Sequence, residues 1–381
     1  MTPTSNRAHS KPVSLTGAVS ALFLATALIA APVPAHAGDV PTFAVDASWP
    51  KPLPNNWILG QVGGITVDGK GHIWVIHRPR SLTDDEKGAS LNPPRSKCCV
   101  SAPPVLEFDA EGNVLRSWGG PGEGYEWVGR EHGIEVDDRG FVWVGGNADN
   151  DNAILKFTLD GKFVMQIGKI APSKGSGDTT QLGKPAETAI DKDANEIYVA
   201  DGYGNRRVIV FDATSGAYKR HWGAYGNPPN DDKQPAYDPK APVAQQFANP
   251  VHCVKLSNDG FVYVCDRMNN RIQVFSKDGK FVKEWFFEKN TLGNGAVWDV
   301  AVWPDPKQTY LLSADGENNE IRVLKRDDGT VVGSFGRNGR NAGQFHWIHA
   351  MAVDAKGNVY TAEVDTGKRI QKFKLTSDAL R

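Results

Sequence analysis

The 381-residue sequence is 40% apolar and 23% charged and carries 40 Gly, 24 Pro and 11 Trp, a composition that supports a large buried core and excludes disorder as a description of the whole chain. Lys and Arg number 43 against 44 Asp and Glu, and this near-neutral balance argues against nucleic acid as the main partner.

In chain order, residues 1–37 read as an export signal: Arg7 and Lys11 in a charged start, an apolar run over residues 18–31, then the small-residue cleavage pattern Ala35-His36-Ala37. The apolar run is shorter than the ~20 residues a membrane helix needs, and no later stretch is long and uncharged enough to span. The expectation is an exported protein, periplasmic or secreted, with no membrane span once the signal is removed. An uncleaved anchor is the alternative. Residues 38–381 form the folded domain.

Internal repetition organises that domain. His132-Gly133-Ile134-Glu135-Val136-Asp137 followed by Gly140-Phe141-Val142-Trp143-Val144 is one copy, and His252-Cys253-Val254-Lys255-Leu256-Ser257 followed by Gly260-Phe261-Val262-Tyr263-Val264 is another. Four further copies run through Ile65–Asp68 with Trp74, Thr188–Asp191 with Tyr198, Val300–Val302 with Leu311, and Met351–Asp354 with Tyr360. Alternating apolar residues and Asp-Gly or Asn-Gly turns mark short antiparallel strands. Four strands per unit, at a spacing of about 45 to 70 residues and without helical periodicity, predict an all-β fold, a six-bladed β-propeller; a β-sandwich is the runner-up.

The sixth unit ends near Leu375 with no fourth strand of its own, so the strand-like Thr42-Phe43-Ala44-Val45 is expected to close the last blade. Long interruptions at residues 79–104, 171–184 and 224–248 are expected to cover one face of the disc. Cys253 and Cys265, on successive strands around a turn, are candidates for a cross-strand disulfide, whereas adjacent Cys98 and Cys99 fit no metal motif and read as loop residues. Trp74, Trp143, Tyr198, Tyr263 and Tyr360 recur once per unit and read as packing between blades.

The residue five before the Asp that ends each first strand, or before its substitute, is Gly63, His132, Ala186, His252, Trp298 and His349 in turn. First strands line the channel of a propeller, so these positions face a common axis, and His on alternate blades places three imidazoles about 120° apart. Three convergent His with an open fourth position form the ligand set of a catalytic zinc site. The competing reading is a polar, water-filled channel. His72, His77, His221 and His346 lack that register and read as surface or supporting residues. After the second strands stand His77-Arg78, Asp201-Gly202-Tyr203 and Asp266-Arg267, which would bring two guanidiniums and a phenol over the imidazoles.

On these residues the chain resembles NHL-type propellers and, among them, the peptidyl-α-hydroxyglycine α-amidating lyase family, through all six blades. The carrying segments are His132–Asp137, the run from Ile197 to Arg206, Pro250-Val251-His252, Asp266-Arg267 with Asn270–Gln273, and Ile348-His349. The resemblance implies zinc on His132, His252 and His349, Tyr203 as the base, Arg78 and Arg267 in the active site, and cleavage of a carbinolamide N–C bond to an amide and glyoxylate. Arg78 would hold Tyr203 anionic, and Arg267 would bind the carboxylate of a small-molecule or peptide substrate. Two positions depart from the family: Ala350 replaces the Asp that would help hold a structural calcium, and Gly204 replaces a disulfide Cys. The alternatives are a metal-dependent lactonase-type hydrolase and a non-enzymatic propeller that binds partners through one face.

Overall fold

The computed structural model describes residues 40–380, so the leader read at residues 1–37 lies outside the described residues. Six four-stranded antiparallel sheets follow one another along the chain. Their inner strands are Gln61–Val67, Glu131–Val136, Glu187–Asp191, Val251–Leu256, Asp299–Val302 and Ile348–Val353. The helical content of the described residues is confined to short 3₁₀ turns, and no helix among them is long and apolar enough to cross a membrane. The fold is the six-bladed β-propeller that the repeat predicts, not a sandwich.

The repeated Asp has a local cause. Asp68, Asp137 and Asp354 each end an inner strand, and one carboxylate oxygen of each accepts the backbone N–H groups of the residues two and four further on. The other oxygen accepts the indole N–H of Trp74 or Trp143, or the Tyr360 hydroxyl, six residues on. One side chain therefore closes the turn and fixes the aromatic ring of the next strand.

Those rings feed cores that lie between blades. Trp74 and Ile76 of the first blade pack with Val142 and Val144 of the second, and Tyr198 of the third with Val254 and Val262 of the fourth. The last interface joins Tyr360 and Ile370 to Ile65, Val75 and Phe108, completing the ring. Phe43–Val45 pairs antiparallel with residues 373–375, so the N-terminal strand supplies the outer edge of the sixth blade as expected. Cys253 and Cys265 face each other across the first two strands of blade four and are disulfide-bonded. Cys98 and Cys99, read from sequence as plain loop residues, are bonded to each other.

Candidate functional site at the channel mouth

The inner strands are not regular where the candidate ligands stand. Register slips by one residue at Gly63 in blade one, within Glu131–Ile134 in blade two, at His252 in blade four and at His349 in blade six. A bulge of this kind leaves one residue outside the ladder and re-aims its side chain. The three imidazoles meet as a result: ring centroids are 5.2 Å apart for His132 and His252, 4.6 Å for His132 and His349, and 4.7 Å for His252 and His349. All three residues are buried.

Their outer ring nitrogens are anchored by the next blade. His132 Nδ1 donates to the Ala186 carbonyl and His252 Nδ1 to the Trp298 carbonyl, at the two non-His register positions that follow. This tautomer, assigned from the partners, turns the Nε2 lone pairs inward. His252 Nε2 and His349 Nε2 lie 3.2 Å apart. Either a proton on His349 Nε2, donated to His252, or a cation bridges that gap, and nitrogens 2.0–2.1 Å from a tetrahedral ion are about 3.3 Å apart. The donor set therefore fits a metal. His349 Nδ1 is the exception in this ring, buried without a partner.

Burial, more than any other cause, holds all three imidazoles well below their ordinary pKa; neighbouring imidazoles and the guanidiniums of Arg78 and Arg267 act in the same direction. They are neutral imidazoles at neutral pH.

Tyr203 stands over this ring, its hydroxyl 3.0 Å from His132 Nε2 and 3.1 Å from His252 Nε2. The turn that carries it lies tight against blade four: a Cβ at Gly202 would sit 2.0 Å from the Val251 carbonyl oxygen, so only glycine fits. Asp201 clasps the turn from below, accepting from Gly183 N–H, Asn205 Nδ2 and Arg207 Nε. The buried Arg207 guanidinium in turn gathers the carbonyls of Ser176, Asp178 and Gln181, pinning the 171–184 loop to the same face. Asp266, with Asn269 and Arg271, repeats the clasp under the turn that presents Arg267. Gly204 passes so close to Gly183 that a Cβ would lie 2.9 Å from its carbonyl oxygen, which leaves no room there for a cysteine side chain.

The two arginines differ. Arg267 donates to the Tyr203 hydroxyl at 3.3 Å, and its guanidinium carbon lies 4.3 Å over the Trp298 ring. Arg78 instead donates to the Glu131 carbonyl and Gln61 Oε1, both at 2.7 Å, and reaches Tyr203 only through its electrostatic field. Burial draws Arg78 down to about 10, and it stays cationic at neutral pH. The guanidinium in contact with the phenol is thus Arg267, where the sequence suggested Arg78. His77 is fully buried in the core, its ring bonded to Gly60 N–H and the Pro103 carbonyl, and does not lie at the surface.

Below the imidazoles is a cavity of about 10 Å³, room for one water-sized occupant, lined by the three His together with Glu187, Asp299 and Ala350. Lys255 Nζ binds Glu187 at 2.5 Å and Asp299 at 3.5 Å, and Glu135 enters its field. With alanine at 350, the carboxylates that face this cavity come from Glu187 and Asp299. Sequence reading passed over this cluster, although Glu135 and Lys255 stand three residues after two of the ligand-register His, where a charge in an apolar strand is a visible signal.

The NHL repeat family matches residues 251–275, in blade four. A probable peptidyl-alpha-hydroxyglycine alpha-amidating lyase of Caenorhabditis elegans is 25% identical over 324 residues, covering 82% of this chain and 82% of the relative. NHL repeat-containing protein 3 of Mus musculus is 28% identical over 348 residues, covering 87% of this chain and 84% of the relative. Among solved structures, a structural genomics protein of unknown function from Bacteroides thetaiotaomicron superposes with a TM-score of 0.52 at 15% identity, over 84% of this chain and 70% of that one, a likeness of fold alone. The chain is a six-bladed β-propeller with an NHL repeat in blade four, similar over most of its length to amidating lyases and to NHL repeat-containing protein 3.

Proposed function

We propose that the protein is an exported, zinc-dependent carbon–nitrogen lyase that splits a carbinolamide, such as a peptidyl-α-hydroxyglycine, into an amide and glyoxylate. The observation that carries this reading is the convergence of three neutral Nε2 atoms beneath one phenol that a guanidinium touches. The resemblance to amidating lyases supports the reaction class. The leader pattern and the Cys253–Cys265 disulfide support an oxidising compartment.

His132, His252 and His349 would hold the zinc, which when bound supplies a Lewis acid that polarises the substrate hydroxyl and favours its ionisation. The remaining work falls to the chain. Tyr203 accepts the hydroxyl proton; the oxygen forms the aldehyde C=O, the C–N bond breaks, and its electron pair goes to the amide nitrogen, which takes up a proton. Arg267, donating to the phenol oxygen, orients it and offers its guanidinium to a substrate carboxylate. Arg78, fixed by Glu131 and Gln61, adds positive field without occupying the phenol.

The test is glyoxylate release from α-hydroxyhippurate by the zinc-loaded protein. Stereoselective turnover is expected, and its absence in a folded, metal-loaded chain overturns the lyase reading. A second reading, a binding propeller without activity, is favoured by the similarity to NHL repeat-containing protein 3. It requires no metal and tolerates loss of the three imidazoles.

A further inference from the structure

Beneath the imidazoles the channel is crossed by a cation that belongs to the chain. Lys255 Nζ, from the inner strand of blade four, lies 2.5 Å from Glu187 Oε1 of blade three and 3.5 Å from Asp299 Oδ1 of blade five. Both carboxylates are engaged further round the ring. Glu187 Oε2 accepts the Val254 N–H at 3.1 Å, Asp299 Oδ1 accepts the Val300 N–H at 2.7 Å, and Asp299 Oδ2 accepts the Met351 N–H of blade six at 2.8 Å. Glu135 of blade two, whose Oε2 takes a hydrogen bond from the Thr66 hydroxyl of blade one, adds a third carboxylate to the field of the ammonium. All six inner strands thus contribute to one charge centre. Burial alone would lower the Lys255 pKa; Asp299, Glu187 and Glu135 outweigh it and raise it, so the amine carries its proton.

The cluster adjoins the groups that orient the imidazoles. Glu187 directly follows Ala186 and Asp299 directly follows Trp298, the two residues whose carbonyls anchor His132 and His252.

The resemblance to amidating lyases implies a structural calcium held partly by an Asp at position 350, and the residues present do not fit one. Calcium takes about six to eight oxygens at roughly 2.3–2.6 Å. Ala350 supplies no side-chain oxygen, and the four oxygens of Glu187 and Asp299 each already face an N–H donor. The space that remains between them and the imidazoles is about 10 Å³, room for one water-sized occupant.

We propose that the Lys255 ammonium is the structural cation of this channel, joining Glu187 and Asp299 in place of a divalent ion, so that the fold is held without calcium. Because the ammonium is covalently part of blade four, the blades stay joined at any calcium concentration. The proposal rests on the side chains in the channel and not on the lyase reading.

The experiment compares the full-length parent with the double variant Lys255→Met, Ala350→Asp, which removes the ammonium and adds a carboxylate to the cavity wall. Both are stripped of calcium on a chelating resin, reloaded with zinc, and unfolded in urea with CaCl₂ at about 5 mM, above the range of weak protein calcium sites, or with NaCl at the same ionic strength. The expected parent midpoint is the same in both buffers. The double variant is expected to unfold at lower urea in NaCl and to gain about 0.5 M in midpoint with calcium, as for a site of about 0.1 mM Kd on the folded state. A parent midpoint that rises with calcium overturns the proposal. So does a double variant that calcium neither folds nor stabilises, since the ammonium would then not stand in a cation's place. Neither readout passes through turnover, so failure of the lyase reading shows separately, in the glyoxylate assay.

Discussion

Replacing Tyr203 with Phe removes one oxygen and leaves the rest of the channel mouth in place. That oxygen is 3.0 Å from His132 Nε2, 3.1 Å from His252 Nε2 and 3.3 Å from Arg267 Nη1, so the substitution deletes three polar contacts and none of the three imidazoles. A positioned acid or base contributes on the order of 10² to 10⁴ in rate, equivalent to about 3–5 kcal/mol of barrier. Stability changes far less, because Tyr203 is only partly buried, water can reach the groups left behind, and the net worth of such contacts is about 1–2 kcal/mol in all. The assay is single-turnover glyoxylate formation at measured metal occupancy, beside a urea titration. The expected variant holds the parent's metal, unfolds within about 1–2 kcal/mol of it and turns over at least a hundredfold more slowly. Undiminished turnover at full occupancy refutes the assignment of the base; loss of metal with activity shows instead that the phenol serves to hold the imidazoles.

Three other outcomes follow from the same geometry. Because Arg267 and not Arg78 touches the phenol, Arg267→Met is expected to lower single-turnover glyoxylate formation more than Arg78→Met does; an equal loss contradicts the contact. His77, held down to about 4 by burial, stays neutral in the fold while the unfolded imidazole protonates below about 6.5. Stability is therefore lost as pH falls through that window, and His77→Gln is expected to lose about 2 kcal/mol less than the parent between pH 7 and 5 in urea titrations; parallel pH curves contradict it. Lys255→Met leaves the buried Glu187 and Asp299 without their ammonium and is expected to cost about 3–5 kcal/mol by chemical denaturation, a cost below 1 kcal/mol being the contrary result.

The architecture was legible because it is repeated. A turn Asp hydrogen-bonded to an aromatic side chain six residues on is one unit, present in blades one, two and six, and six strand-and-turn repeats with a spare N-terminal strand leave little choice but a closed propeller. The meeting of His132, His252 and His349 was legible for the same reason, since equivalent positions on inner strands share an axis. Contacts that depend on how unlike loops pack were not. Which arginine reaches Tyr203 turns on Gln61 and the Glu131 carbonyl capturing Arg78, and neither lies near it in sequence. The Asp201–Arg207 and Asp266–Arg271 clasps and the bulges at the His positions likewise appear only once strands are paired. His77 reads as an ordinary polar residue until Gly60 and Pro103 close over it.

Metal content tests the central claim most directly. The protein, expressed from Gly38 and dialysed against metal-free buffer after loading, is expected to retain about one zinc per chain by elemental analysis, and a His132→Ala, His252→Ala double variant to retain almost none while remaining folded. A folded parent that holds no stoichiometric metal, or a double variant that holds as much as the parent, would contradict the site.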